Sequence, residues 1–277
     1  MKHNNNTPKN DMPFLDHVAE LRKHLLRAIV GVVIGAILAT VFWQQILDFI
    51  MAPLKSNFIT YKAFNKIGHF TGYGDLYPKP FDIQSELTNL EFGGQFTAII
   101  GVILVAGLII ALPYVVYEIF QFIKPGLTPM ERKYSNLTMF FTIMFFLLGV
   151  GFSYYFIMPL SVHFMYFFQP FGVENNWKLL SYISVFVQTT LSTGVVFLLP
   201  IFVYFLAKID LVTPNFMKTY RKHAFVVVLT IAAIITPADI LSMVIASIPL
   251  LLLYELSILI VKWVYKNKER TLAEKNI

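Results

Sequence analysis

Residues 224–262 read AFVVVLTIAAII (Ala224–Ile235), TPAD (Thr236–Asp239) and ILSMVIASIPLLLLYELSILIVK (Ile240–Lys262). Whether they form one helix or two decides the fold. The first piece is well short of the ~20 apolar residues that a spanning helix needs. Pro237 and Asp239 favour a turn between the pieces. Read as a hairpin, they end a chain of six spans. Read as one long helix, they leave five and put the C-terminus on the other side.

Working outward, five further apolar segments precede the hairpin or lie within it: Leu25–Leu47, Phe96–Ile119, Leu137–Leu160, Leu180–Leu206 and Ile240–Val264. Charge then decides the count. With six spans, the cytoplasmic stretches are 1–27, 120–136, 207–223 and the tail 262–277. Of the 22 lysines and arginines, only Lys55, Lys62, Lys66, Lys79 and Lys178 fall outside them. Five spans would put the basic tail outside, against the positive-inside rule. The expectation is an all-α integral membrane protein of six transmembrane helices with both termini cytoplasmic. Its last two spans are short, which implies thinned bilayer or helices buried against neighbours.

Composition agrees. The chain is 57% hydrophobic and 14% charged, where a soluble domain carries roughly a quarter charged. It has no cysteine, which excludes disulfides and thiolate metal sites. The net charge of +6 is spread between apolar segments rather than gathered in a patch, so no nucleic-acid partner is expected. The first 27 residues are too polar for a cleaved signal peptide. The whole of 1–277 reads as a single membrane domain.

Within it, Pro13–Arg27 reads as an amphipathic cytoplasmic helix preceding the first span. Phe14, Val18, Leu21 and Leu25 share one face, and His17, Glu20, His24 and Arg27 share another. The extracytoplasmic loop 51–95 is the only long polar region and carries the turn cluster GYGDLYPKP, with no clear strand pattern. Pro113, Pro200 and Pro249 fall inside spans two, four and six. Proline kinks such helices, which suggests a concave bundle.

The loudest motif misleads. Thr71–Pro78, TGYGDLYP, approaches the TVGYG filter of potassium channels, whose carbonyls replace the hydration of the ion. The valine is missing, and the preceding YKAFNKIGHF carries two lysines and a histidine where a pore helix is apolar. Gly72–Asp75 also matches GxGD of intramembrane aspartyl proteases, but Asp75 lies in a polar loop. No HExxH and no GxxxxGK occurs. No enzyme, metal site or cofactor is indicated.

Polar groups at membrane depth carry more weight, because a central charge costs at least about 2.5 kcal/mol. Glu118 lies near the inner end of span two, where it can snorkel. Glu255 lies well inside span six and has to be protonated, paired or exposed to water. Asp239 sits at the outer turn and suits a helix N-cap. On the cytoplasmic side, Glu131 completes a capping box with Thr128, and Glu20 has Lys23 and His24 as helical neighbours.

Several stretches together resemble the TatC family, the core membrane component of twin-arginine protein translocation. HVAELRKHLL (His17–Leu26) is similar to the family's N-terminal H-x-x-E-L-R signature. Ala52-Pro53-Leu54 follows span one as in the family. ALPYVVYEIFQFIKPGLTPMERK (Ala111–Lys133) resembles its most recognisable stretch, and Thr236–Asp239 and Ile248-Pro-Leu resemble its last turn and span.

The resemblance implies a receptor and core subunit in the inner (plasma) membrane of a prokaryote. It would bind signal peptides with paired arginines on folded proteins and export them using the proton gradient. Its partners would be TatA-class single-span subunits, with or without a TatB-class one, in a larger complex of several copies in membrane lipid. Glu20 and Glu131 match the positions that hold the arginine pair, with Arg22, Phe122 and Pro125 beside them. Glu118, Gln188, Asp239 and Glu255 are candidate intramembrane contacts. Glu118 replaces a commoner glutamine and Met243 a commoner polar residue. Leu198 stands where a span-four glutamate is usual; Gln188, Thr189 and Thr190 offer polar groups about 15 Å away. An ion channel or secondary transporter is the alternative reading.

Overall fold

The computed structural model describes residues 14–77, 80–126, 129–173, 175–237 and 239–275; the side chains of 14–17, 126, 129–131, 133, 134 and 269–275 lie outside that description. Among the described residues, eleven α-helices follow one another: α1 (Phe14–Val41), α2 (Trp43–Met51), α3 (Ile59–Thr71), α4 (Gly94–Ile123), α5 (Pro129–Phe152), α6 (Met158–Phe167), α7 (Leu179–Val196), α8 (Leu199–Lys208), α9 (Pro214–Thr219), α10 (Arg221–Ile235) and α11 (Ile240–Lys275). No strand occurs among the described residues beyond two isolated bridges.

Among the described residues, five stretches are long and apolar enough to cross a membrane: Val18–Val41, Gly94–Ile123, Ser135–Phe167, Leu179–Lys208 and Ile240–Lys268. The sixth apolar segment is α10. Its 15 residues rise only about 22 Å at 1.5 Å per residue. The TPAD break separates α10 from α11 as the hairpin reading expects. Thr236 turns extended before Pro237, and Asp239 Oδ1 accepts from Ser242 N at 2.6 Å to cap α11.

The prolines behave differently from one another. Pro113 and Pro249 lie inside unbroken helices. Pro200 sits in the first turn of α8, where the missing N–H costs nothing, and it alone of the three coincides with a break. A further interruption falls at a fourth proline: Pro159 sits in the first turn of α6, and Ser153–Ile157 forms a π-turn between α5 and α6. The Tyr155 carbonyl there accepts from the Thr60 hydroxyl.

The polar stretch of α1 is not a separate helix; it runs unbroken into the first span. Two members of its polar face, Glu20 and His24, face the bundle while Arg27 is exposed, and Val18, Leu21 and Leu25 of its apolar face are exposed. Further along, Ala28 and Ala39 continue the inward line. Gly35 and Gly107 bring α1 and α4 into backbone contact: a Cβ on Gly35 would lie 2.4 Å from the Gly107 carbonyl oxygen. In lipid, burying apolar side chains gives no gain, so close backbone packing takes over.

One end of the bundle is a tyrosine-tied cap. Ile50, Met51, Leu54, Phe58, Tyr61, Phe81 and Ile83 form a core with the outer parts of α4, α6 and α7. The Tyr61 hydroxyl reaches the carbonyls of Pro53 (3.0 Å) and Pro159 (2.7 Å). Tyr182 donates to Ile50 O (2.6 Å) and Tyr154 to Phe49 O (2.8 Å). Burial pushes the Tyr61 phenol upward, so it stays a donor. The loop 51–95, which showed no regular pattern in sequence, holds α3 within this cap. TGYG is the C-terminal cap of α3: Gly72 is left-handed (φ 82°), and Tyr73 N and Gly74 N return to the Gly68 carbonyl at 2.9 and 3.2 Å. It lines no pore.

Candidate functional site at the basic end of the bundle

The opposite end gathers the start of α1, the α4–α5 loop, the α8–α10 turns and the end of α11. Three contacts join its parts. His24 of α1 meets Glu118 of α4, Nδ1 to Oε2, at 2.6 Å. Arg132 of α5 donates to the Lys124 and Pro125 carbonyls at 3.0 and 3.1 Å, filling acceptors left open by the end of α4. Lys268 of α11 meets Asp210 at 2.7 Å and the Lys208 carbonyl at 2.9 Å. That ammonium holds the Asp210 carboxyl below its ordinary value.

Glu20 and His24 are one turn apart on the inward face of α1. His24 spends its ring nitrogen on buried Glu118, whose carboxylate also lies near Tyr114 and Arg27. Glu20 is half-buried, and its Oε2 is shielded from solvent with no hydrogen-bond partner. Leaving such an acceptor unmade costs about 1–3 kcal/mol, more for a charged group. The Phe122 ring lies 6.4 Å from that of His24. Pro125 and Arg22 are exposed. Glu131 occupies the first turn of α5 beside Arg132, and its side chain lies outside the description.

Glu20, Glu118 and Phe122 therefore share the α1–α4 seam; Pro125 follows the end of α4, and Glu131 lies in the first turn of α5. The other intramembrane candidates stand apart. Gln188 is exposed on α7. Asp239 caps α11 at the far end, with Oδ2 buried and unpartnered. Glu255 pairs with Arg221 at 2.6 Å, both side chains 51% exposed, which selects pairing from the three states open to it in sequence. Sequence reasoning missed His24 and Arg221 as partners. The available signal was complementarity: a histidine and an arginine at the inner ends of helices, opposite carboxylates set one or more turns into their neighbours.

Fold and seam define a polytopic helical membrane protein whose reactive groups are acceptors at a rim. No cluster of His, Asp and Glu able to hold a metal occurs among the described residues. The family model of the Sec-independent protein translocase protein (TatC) matches residues 16–249. The TatC of Blattabacterium from Periplaneta americana is 40% identical over 94% of this chain and 98% of its own. TatCy of Bacillus subtilis is 33% identical over 95% of this chain and 94% of its own. The crystal structure of the twin arginine translocase receptor TatC superposes with a TM-score of 0.68 at 28% identity, covering 90% of this chain and 99% of that one. The chain belongs to the TatC family. It is thus a component of a protein translocase and not an enzyme.

Proposed function

We propose that the basic end is cytoplasmic, with six spans and both termini inside, and that its α1–α4–α5 rim receives signal peptides bearing paired arginines. Glu20 and Glu131 each take one guanidinium, and Phe122 and Pro125 shape the mouth with Arg22 at its edge. The observation that carries this reading is the Glu20 Oε2, buried without a donor. A guanidinium supplies a planar, permanently charged fork matched to a carboxylate, which an ammonium does not copy. Folded substrates then leave through an assembly with TatA-class single-span subunits driven by the proton gradient. Gln188 is the contact for such a subunit: it is exposed at membrane depth, whereas Glu118, Asp239 and Glu255 are bonded within the chain.

A photoreactive twin-arginine signal peptide tests the reading in membranes containing the protein. Label at residues 14–27 and 122–134, lost with a twin-lysine peptide, supports it. No label there, with the protein correctly inserted, overturns it.

A further inference from the structure

The far-end cap carries a helix whose outward face is built like a membrane contact. In α3, Thr60, Tyr61 and Gly68 are buried against the cap, with Phe64 and Asn65 half-buried beside them. At 100° per residue, Ile59, Ala63, Ile67 and Phe70 fall together on the other side. Lys62 and Lys66 run along one edge of that strip. All six are exposed. Phe70 is 92% exposed, and Tyr73, folded back beside the helix by the Gly72 cap, is 84% exposed. A helix on a water-facing loop would carry polar residues there.

A second observation bears on its height. The Thr60 hydroxyl is bonded to the carbonyl of Tyr155, which lies within the Ser135–Phe167 span. Phe58 stacks on Tyr155 with ring centroids 6.1 Å apart. The start of α3 is therefore held against this apolar stretch. Other exposed aromatics mark the same boundary: Phe92 and Phe96 at the entry to α4, Phe168 and Phe171 past the end of α6. Aromatic residues concentrate at that level in membrane proteins.

We propose that α3 is an interfacial anchor lying on the phospholipid leaflet at the far end, with Ile59, Ile67, Phe70 and Tyr73 sunk among the acyl chains. Lys62 and Lys66 meet the headgroup phosphates, and long lysine stems reach that level from the edge of an apolar strip. The occupant is lipid rather than a protein because the strip itself combines apolar side chains with two cations, and the one carboxylate beside it, Asp75, is paired to His69 at 2.7 Å. Three of the lysines outside the basic-end stretches belong to this region or its mouth, Lys55, Lys62 and Lys66, and phosphate contact gives two of them a role. The anchor would fix the cap against the leaflet while the opposite rim stays free. It holds whichever side of the membrane the cap faces, so it stands or falls separately from the receptor reading.

The chain has no cysteine, so single-cysteine variants label cleanly. Spin labels at Phe70→Cys, Tyr73→Cys and Asp75→Cys are to be read in discs of phosphatidylethanolamine and phosphatidylglycerol holding one chain each. The oxygen-to-nickel-chelate accessibility ratio should be at least about fivefold higher at 70 and 73 than at 75, as for side chains ~5–10 Å below the headgroups. Equal, water-like ratios at all three overturn the proposal, as does a lipid-like signal that appears only with two chains per disc. With Lys62→Glu and Lys66→Glu together, the label at 70 should become shallower in phosphatidylglycerol discs and stay put in phosphatidylcholine discs. An unchanged depth in both overturns the headgroup assignment.

Discussion

The two ends of this molecule solve opposite problems with similar residues. At the far end, tyrosine hydroxyls close onto carbonyls that helix ends leave over, and Tyr61 alone bridges Pro53 and Pro159. Polar groups there are consumed internally, the Asp239 Oδ2 excepted. At the basic end the α1–α4 seam satisfies Glu118 through His24 and stops one turn short, leaving a Glu20 oxygen buried and unpaired. One end is closed by its own tyrosines except at that Asp239 oxygen; at the rim, the open glutamate is finished only by something that arrives. Substitutions should therefore sort cleanly: stability without binding at the cap, binding without stability at the rim.

The largest effect should come at the rim. Glu20→Ala or Glu131→Ala removes one partner of a desolvated charge pair, a loss of about 2–5 kcal/mol. Affinity for a twin-arginine signal peptide, measured by titration in detergent or discs, should fall on the order of 100-fold or more, with an unchanged melting transition. A melting transition that drops in step would show that the capping and local pairing roles of these glutamates dominate. Next comes the cap: Tyr61→Phe leaves two buried carbonyls without their donor and should cost about 1–3 kcal/mol, seen as an earlier thermal transition with signal affinity intact. Lost affinity there would couple the ends and break the contrast.

Glu118→Gln tests the boundary between them. The amide still bonds His24 but loses the charge assistance, a difference of roughly 1 kcal/mol, visible in the melting transition and only weakly in binding. The smallest effect belongs to exposed Asp210. Its carboxyl sits below the ordinary 3.8 because Lys268 bonds it. The folded form binds the proton less readily than the unfolded one, so the contribution is complete above 3.8 and fades as pH falls through the lowered folded value. A pH series of unfolding midpoints should show a shallow acid step in the natural chain, absent in Asp210→Asn.

Much of this could be read from the residues. The apolar segments and the TPAD hairpin follow from local rules of length and turn chemistry; the break at Pro200 does not, because the same missing N–H leaves Pro113 and Pro249 inside unbroken helices. The faces of α1 did not follow. The amphipathic pattern at His17–Arg27 is real, but orienting it assumes water as the solvent, and beside lipid the apolar face turns outward. Helix α3 was hidden because its apolar residues point two ways, into the cap at Tyr61 and out at Phe70, so no single stripe appears. The partners of Glu118 and Glu255 come from 94 and 34 residues away, and no local signal reports such distances. Glu20 and Glu131 came from family likeness; the bidentate chemistry made them sensible without selecting them.

The π-turn at Ser153–Ile157 has a consequence for how this bundle keeps its phase. Such a turn fits an extra residue into a helix, and each residue carries about 100° of rotation. Deleting one residue there would leave a smooth α-helix and swing everything after it round by that angle. Ser161 would leave Ser242, Pro159 would leave Tyr61, and Tyr155 would no longer offer its carbonyl to Thr60. One irregular turn thus acts as the indexing notch that aligns the third span with α3, α11 and the cap together.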